Sequence, residues 1–297
     1  MASVKNYFSL VKFSHTIFAL PFAIIGFFLG LKTMHFFESS NATSFTWNTM
    51  LQKLMLVLAC MVTSRSAAMS FNRYLDQQFD KLNPRTSNRE IPAGIISASQ
   101  ALIFTIISSI LFLLSCYFIN SICFALSPIA LFVILFYSYT KRFTALCHII
   151  LGVGLSFAPI GAYLAVTGSF AVTPILFSLA VICWVSGFDI IYALQDEMFD
   201  KENNLYSMPV IAGKKTALSF SRLLHFFSAL FVISAGIMNG FSFLYWIGIL
   251  VFCSMLVYQQ SLVKPDDISK VNIAFMTANG IASIVFGVFV CLDISLF

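Results

Sequence analysis

Charged residues are scarce in this sequence. Of its 297 residues, 10% are charged and 59% are hydrophobic, and the mean hydropathy is +0.91. A soluble protein of this length needs far more charge to cover its surface, so the composition excludes an ordinary soluble domain. The sequence instead predicts a polytopic integral membrane protein in which residues 1–297 form a single domain.

Closely spaced metal-binding residues are also missing. The seven cysteines form no C-x-x-C pair, and the four histidines are scattered along the chain. Zinc sites and disulfide frameworks need such spacing, so the pattern favours free thiols packed between helices. These cysteines are Cys60, Cys116, Cys123, Cys147, Cys183, Cys253 and Cys291.

Long apolar runs, in contrast, occur throughout the chain. They predict an all-α fold with about nine transmembrane helices. The first run is too long for the apolar region of a signal peptide and lacks a small-residue cleavage pattern, so we expect it to be retained. The runs occupy roughly 16–34, 51–71, 97–119, 121–139, 148–167, 173–192, 216–236, 242–260 and 271–294.

Basic residues are divided unequally between the two sides of these helices. With the N-terminus inside, fifteen Lys and Arg residues fall in inner segments and only Lys32 and Lys53 in outer ones. The positive-inside rule then predicts a cytoplasmic N-terminus, cytoplasmic acidic loops and an external C-terminus. This sorting also accounts for the net charge of +5, which therefore does not argue for a nucleic-acid partner.

The two longest inner loops resemble each other. "DQQFDKLNPRTSNREIPAG" begins at Asp76 and "DEMFDKENNLYSMPVIAG" begins at Asp196. Both contain D-x-x-F-D-K, and both reach Pro and Ala-Gly before the next helix. The two segments lie 120 residues apart, a distance of four helices, which predicts an internal repeat of four-helix units with Asp motifs at 72–80 and 189–200.

Each loop carries polar side chains at helical spacing. Residues four apart lie on one face of a helix, and two carboxylates placed so repel each other unless a cation lies between them. A solvated helix end is the alternative, but two pairs at equivalent positions near a membrane boundary favour a functional site. The two trios are Asn72, Asp76 and Asp80, and Tyr192, Asp196 and Asp200.

The ligand chemistry of these trios indicates a hard cation. Oxygen ligands without nearby His or Cys select Mg²⁺ or Ca²⁺, and Mg²⁺ is usually held by carboxylates together with substrate phosphates. Arginine side chains suit phosphate, although positive-inside sorting explains each basic residue equally well when taken alone. Acidic pairs and a basic rim above an apolar bundle imply a substrate with a diphosphate head and a long hydrocarbon tail. The basic residues are Arg73, Arg85, Arg89, Lys141 and Arg142.

The two motif regions resemble the signatures of the UbiA prenyltransferase superfamily. "SRSAAMSFNRYLDQQFDKLNPRTSNREIPAG" is similar to the first signature, N-x-x-x-D-x-x-x-D followed by N-P-R-T. "GFDIIYALQDEMFDKENNLYSMPV" is similar to the second, D-x-x-Y-x-x-Q-D-x-x-x-D. The resemblance extends over essentially the whole chain. The opening "LVKFSHTIFALPFAIIGF" is most similar to the bacterial 4-hydroxybenzoate polyprenyltransferase-like branch.

The resemblance implies a nine-helix enzyme of the bacterial inner membrane, with a central cavity capped by cytoplasmic loops. Such an enzyme transfers a polyprenyl group from prenyl diphosphate to an aromatic acid, 4-hydroxybenzoate or a dihydroxynaphthoate, in quinone biosynthesis. Haem, chlorophyll or lipid-ether acceptors remain open. An ion-coupled transporter is a further alternative, but it predicts charges in mid-helix. No protein partner is implied.

The role of Asp189 is predicted from its position along the helix, and the other residue roles carry over from the resemblance. Asp189 lies deeper in its helix, and we expect it to orient or deprotonate the acceptor, with a hydrogen bond to a neighbouring helix as the alternative. Two departures concern the acceptor side, since Ser14 precedes His15 where relatives often have Arg-Pro, and Ser138 replaces a common Pro. Mg²⁺ and diphosphate would be held by Asn72, Asp76, Asp80, Asp196 and Asp200. The substrate-binding side chains would be Asn72, Arg73, Arg85, Arg89, Lys141, Arg142 and Tyr192.

Overall fold

A computed structural model describes residues 4–11, 18–37 and 46–297, and this part of the chain is helical without a strand. The main helices are α1 (Val4–Val11), α2 (Leu20–Thr33), α3 (Trp47–Leu75), α4 (Gln77–Leu82), α5 (Ala98–Ile119), α6 (Ser121–Thr140), α7 (Cys147–Thr167), α8 (Val172–Ala193), α9 (Glu197–Glu202), α10 (Met208–Asn239), α11 (Phe243–Leu262) and α12 (Asn279–Leu296). A 3₁₀ turn covers Leu194–Asp196, and a π-helical turn covers Ile273–Ala278.

The all-α membrane fold predicted from the sequence is confirmed. Within the described residues, eight helices are long and apolar enough to cross a bilayer. The first predicted span, 16–34, is represented by α2, whose 14 residues extend about 21 Å, less than the ~30 Å apolar thickness of a membrane. Ser14 and His15 lie outside the described residues.

Both Asp motifs interrupt a long helix in the same way. α3 ends at Leu75, and Asp76 leads into the six-residue α4, which carries Asp80. α8 passes through the 3₁₀ turn that ends at Asp196, and the six-residue α9 carries Asp200. The spacing had predicted that each trio lies on one continuous α-helix. In the structure, each trio instead crosses a break in its helix. The four-helix repeat stays a prediction.

α7 packs closely on α8 just before the second motif. A Cβ atom added to Gly152 would lie 2.6 Å from both Ile182 O and Ser186 Oγ. Only a residue without a side chain permits this approach, as is common at interfaces between transmembrane helices. The Ser186 hydroxyl donates a 3.1 Å hydrogen bond to His148 O, which fixes the start of α7 against α8.

The π-helical turn before α12 supports the second motif from another side. The Gln259 Nε2 amide donates to Ala274 O at 2.8 Å, and Asn279 Nδ2 donates to Phe275 O at 2.9 Å. These amides bond carbonyls in the turn where the regular helical pattern changes. The turn places the Phe275 ring 4.2 Å from the Tyr192 ring, centroid to centroid.

Candidate active site

The first Asp motif is held by hydrogen bonds and two arginine side chains. Asp76 accepts from Asn72 Nδ2 at 2.9 Å and from Arg142 Nη2 at 2.9 Å. Asp80 accepts from Arg89 Nη1 at 2.6 Å through Oδ1. Its second oxygen, Oδ2, is buried without a hydrogen-bond partner. An unsatisfied buried carboxylate oxygen is costly, so this atom is available for an additional ligand.

The second Asp motif pairs with the loop that follows the first. Arg85 makes a two-pronged contact with Asp196, with Nε 3.0 Å from Oδ1 and Nη2 2.5 Å from Oδ2. Asn83 Nδ2 also donates to Asp196 Oδ1 at 3.2 Å. The Oδ1 atom of Asp200, a fully buried residue, lies 2.7 Å from Lys141 Nζ. The structure thus brings the two motifs to one end of the helix bundle, the Asp end.

Each of the four aspartates at this end forms one ion pair with a different cation. The pairs are Asp76–Arg142, Asp80–Arg89, Asp196–Arg85 and Asp200–Lys141. Their formal charges cancel, which allows four carboxylates to stand close together at the edge of a low-dielectric region.

Burial and ion pairing act in opposite directions on the charged groups outside the spanning segments. Burial lowers the pKa of Lys141, but the Asp200 carboxylate outweighs this effect and the pKa is raised. Burial and Asp196 oppose each other in the same way at Arg85, whose pKa is also raised. Burial raises the pKa of Asp76, and the nearby Arg142 acts against it. Because their pKa values are raised, Lys141 and Arg85 both remain charged at neutral pH.

Tyr192 and Arg73 occupy different surroundings. The Tyr192 hydroxyl accepts from Arg85 Nη1 at 2.8 Å, and the Arg85 guanidinium stacks 5.3 Å from the centre of the Tyr192 ring. Tyr192 thereby orients a cation of the site. Arg73 is 4% exposed, within electrostatic range of Asp80 and Glu90, and the described structure does not place it in an ion pair with either motif.

Asp189 lies apart from these four ion pairs. Its Oδ2 atom is 2.6 Å from His148 Nδ1 on α7, and about a quarter of its side chain is exposed. The hydrogen bond to a neighbouring helix that the sequence left as an alternative is therefore present. The carboxylate is still partly accessible, so it can also contact a substrate.

An apolar cavity of about 420 Å³ leads toward the Asp end. On α3 it is lined by Val57, Met61, Arg65 and Ala68, and helical spacing continues this face to Asn72 and then Asp76. On α6 the lining residues Ile134 and Tyr137 are followed, one turn on, by Lys141. Both cavity-lining faces thus end at the charged cluster.

Arg65 is an unusual member of this cavity wall. It is the one charged side chain among the described lining residues, and its Nε atom is buried without a hydrogen-bond partner. A charged group inside a transmembrane segment is expensive and tends to mark function. The sequence carried this signal, because Arg65 lies inside the predicted span 51–71. The sequence analysis, however, counted Arg65 only among the fifteen basic residues that predict the orientation in the membrane.

Two other residues of the site were not identified from the sequence. Asn83 stands inside the N-P-R-T motif, and its side chain accepts from Arg85 N at 2.9 Å as well as bonding Asp196. His148 is an isolated histidine, and nothing in its local pattern connects it with Asp189.

Ser138, one of the noted departures, contributes its carbonyl to Arg142 Nη1 at 3.0 Å. All seven cysteines are free thiols.

The carboxylates do not form a ready-made metal cage. Across the described ranges, no three His, Cys, Asp or Glu side chains converge on one metal position. Each aspartate instead faces a cation, and the lone pairs available to a metal, including those of the buried and unpartnered Asp80 Oδ2, all belong to oxygen. This donor set fits Mg²⁺, which commonly takes one or two carboxylates and completes its shell with water and phosphate oxygens.

Comparison with known proteins agrees with this arrangement. Residues 19–281 match the UbiA prenyltransferase family, and the chain belongs to that family. A 4-hydroxybenzoate octaprenyltransferase from Francisella tularensis subsp. novicida is 31% identical over 225 residues, which cover 76% of this chain and 79% of the relative. The prediction that the chain is a membrane-embedded prenyltransferase is therefore confirmed.

Solved structures share the same fold. The apo structure of a UbiA homologue from Aeropyrum pernix K1 has a TM-score of 0.81 and 28% sequence identity, covering 94% of this chain and 98% of the homologue. A UbiA homologue from Archaeoglobus fulgidus bound to DMAPP and Mg²⁺ has a TM-score of 0.73 and 21% identity, covering 98% of this chain and all of the homologue.

Proposed function

We propose that this prenyltransferase moves a polyprenyl group from prenyl diphosphate to an aromatic acid, 4-hydroxybenzoate or a dihydroxynaphthoate, in quinone biosynthesis. The observation that carries the proposal is the apolar cavity whose lining faces on α3 and α6 end at four carboxylate–cation pairs. A hydrocarbon tail fits the cavity, and a diphosphate head fits the charged end. The Francisella relative, named as a 4-hydroxybenzoate octaprenyltransferase, supports this acceptor class.

The charged end supplies the groups that a diphosphate requires. Asn72, Asp76, Asp80, Asp196 and Asp200 would hold Mg²⁺, as the orphaned Asp80 Oδ2 and the oxygen donors suggest. Bound Mg²⁺ would neutralise charge on the leaving diphosphate. The basic side chains released from the carboxylates would donate hydrogen bonds to the phosphate oxygens. These side chains are Arg85, Arg89, Lys141 and Arg142.

The acceptor would enter on the cavity side of this cluster. Arg65 has an unpaired buried Nε atom and would bind the carboxylate of the aromatic acid. The acceptor ring carbon forms a bond to the allylic carbon, and the electron pair of the broken C–O bond leaves with diphosphate. The attacked ring carbon then loses its proton to the Asp189 carboxylate, and the freed electron pair restores aromaticity. The cavity excludes water that would otherwise capture the allylic carbon.

A substrate panel tests this function. Purified protein in liposomes would receive labelled prenyl diphosphate and, in separate reactions, 4-hydroxybenzoate, a dihydroxynaphthoate, their methyl esters and a glycerol-phosphate lipid. We expect transfer to a free aromatic acid and weaker transfer to its ester, because the ester cannot pair with Arg65. Transfer to the lipid alone would contradict the proposed acceptor. An Arg65→Leu variant should lose the preference for acid over ester.

The orientation of the site in the membrane is a separate prediction. Because basic residues gather at the Asp end, we expect this end to face the cytoplasm. In a cysteine-free background, Glu202→Cys should react with an impermeant thiol reagent only after permeabilisation, and Ser169→Cys at the opposite end should react in intact cells. The reverse labelling pattern would show that the orientation is inverted.

A further inference from the structure

We propose that His148 is a positioning residue for Asp189 and that this pair serves the acceptor but not the diphosphate. The inference rests on the proposed function and assigns a role to a residue outside the two Asp motifs. It follows from the hydrogen bonds at His148, from the separation of Asp189 from the four ion pairs and from its depth on α8.

The hydrogen bonds of His148 determine which ring nitrogen carries the proton. The Met208 backbone N–H donates to Nε2 at 3.3 Å, so Nε2 is an acceptor. The proton therefore resides on Nδ1, which donates to Asp189 Oδ2 at 2.6 Å. His148 is 3% exposed, its ring is held at both nitrogens, and Ser186 holds its backbone carbonyl. It orients one oxygen of Asp189 and leaves the carboxylate partly accessible.

The position of Asp189 separates it from the diphosphate machinery. It precedes Asp196 by seven residues and lies within α8, before the 3₁₀ turn, which places it about 10 Å along the chain axis toward the membrane interior. The cations Arg85, Arg89, Lys141 and Arg142 all pair with other carboxylates.

The neighbouring helix places the same pair beside the cavity. On α7, His148 is followed at helical spacing by Leu151 and Leu155, which line the apolar cavity. His148 thus lies one helical turn beyond the cavity wall, at the start of α7, and we infer that its partner Asp189 faces the place where the reacting carbon of an acceptor would meet the allylic carbon.

Two isosteric substitutions separate the roles of the ring nitrogens. An Asn side chain places its amide nitrogen near the position of Nδ1, so His148→Asn restores donation to Asp189. A Gln side chain reaches the position of Nε2, so His148→Gln restores only the contact with Met208 N. We expect His148→Ala and His148→Gln to lose up to about 100-fold in acceptor-dependent transfer, and His148→Asn to recover most of it.

The assay compares three readouts for each variant. These are prenyl transfer at varied acceptor concentration, acceptor-independent hydrolysis of prenyl diphosphate, and binding of a non-hydrolysable diphosphate analogue. His148→Ala should change the first and leave the other two within about twofold of wild type, as for two sites with little mutual coupling. His225→Gln is a control for the loss of a buried histidine near α8, because His225 packs against Gly187 but its described side-chain hydrogen bond reaches Gln260 and not Asp189.

The outcomes separate the inference from the proposed function. Equal losses of hydrolysis and transfer in His148→Ala, or rescue by Gln instead of Asn, would overturn the assignment of His148 while leaving the proposed function intact. A wild-type protein that hydrolyses prenyl diphosphate but transfers to no aromatic acid would refute the proposed function and the assignment with it. In the expected case, the losses of His148→Ala and Asp189→Asn are not additive.

Discussion

Replacing Asp196 by Asn is expected to reduce prenyl transfer about 100- to 1,000-fold with every acceptor, the range for loss of one preorganised electrostatic group. Asp196 contacts Arg85 through two nitrogen atoms and also binds Asn83, so its charge organises the loop after the first motif. All acceptors share the same leaving group, and the loss should therefore not depend on the acceptor. Asp76→Asn should behave in the same way. Both rates would be measured with a saturating acceptor.

Asp189→Asn provides the contrast for this experiment. It should leave binding of a non-hydrolysable prenyl diphosphate analogue intact and slow product formation by ~10²–10⁴-fold, as for loss of a positioned base. Asp267→Asn is the matched control, since Asp267 is an exposed loop aspartate bonded to Ser269. If Asp189→Asn abolished analogue binding while Asp76→Asn and Asp196→Asn did not, the two roles would be reversed.

Removal of Mg²⁺ should abolish turnover and also weaken diphosphate binding about 100-fold. The four ion pairs together carry no net charge before substrate binds, so Mg²⁺ alone would add positive charge to this cluster and diphosphate alone would add negative charge. When both bind, their charges offset each other. Linkage then requires each ligand to raise the affinity of the other by the same factor.

Calorimetric titrations in both orders measure this coupling. Mg²⁺ would be titrated with and without the analogue, and the analogue with and without Mg²⁺, after treatment with EDTA. Arg142→Gln supplies a second arm, because it frees Asp76 from its cation. We expect this variant to bind Mg²⁺ alone more tightly than wild type and yet to turn over more slowly. Full turnover in excess EDTA, or equal Mg²⁺ affinity with and without the analogue, would contradict the model of mutual binding.

The sequence predicted those features that depend on neighbouring residues. Apolar runs identify spanning helices because hydropathy is a local property, and the carboxylate spacing showed two related motifs. Ion pairing was not predictable in the same way. Arg142 meets Asp76 across 66 residues, and Arg85 meets Asp196 across 111 residues. Which cation faces which carboxylate depends on how the helices pack, and spacing along the chain does not report it.

The missed features have the same physical origin. Asp76 was expected within a continuous helix, but its backbone leaves helical geometry where α3 ends. Short helices beyond such a break can turn their aspartates toward cations from other segments. His148 became meaningful only through the close approach of α7 to α8 at Gly152, which is a property of the packed bundle.

The π-helical turn at Ile273–Ala278 acts as a phase shift in the C-terminal span. Each residue of an α-helix adds a rotation of about 100°. One additional residue in the turn therefore rotates the helix that precedes the turn relative to α12, which follows it. Phe275 can therefore contact the Tyr192 ring while α12 keeps its own face against the bundle. Deleting one residue here would barely alter hydropathy, yet it would rotate Phe275 away from Tyr192. Because Tyr192 in turn contacts the Arg85 guanidinium, a change in the length of this span would alter the position of Arg85, which is far away along the chain.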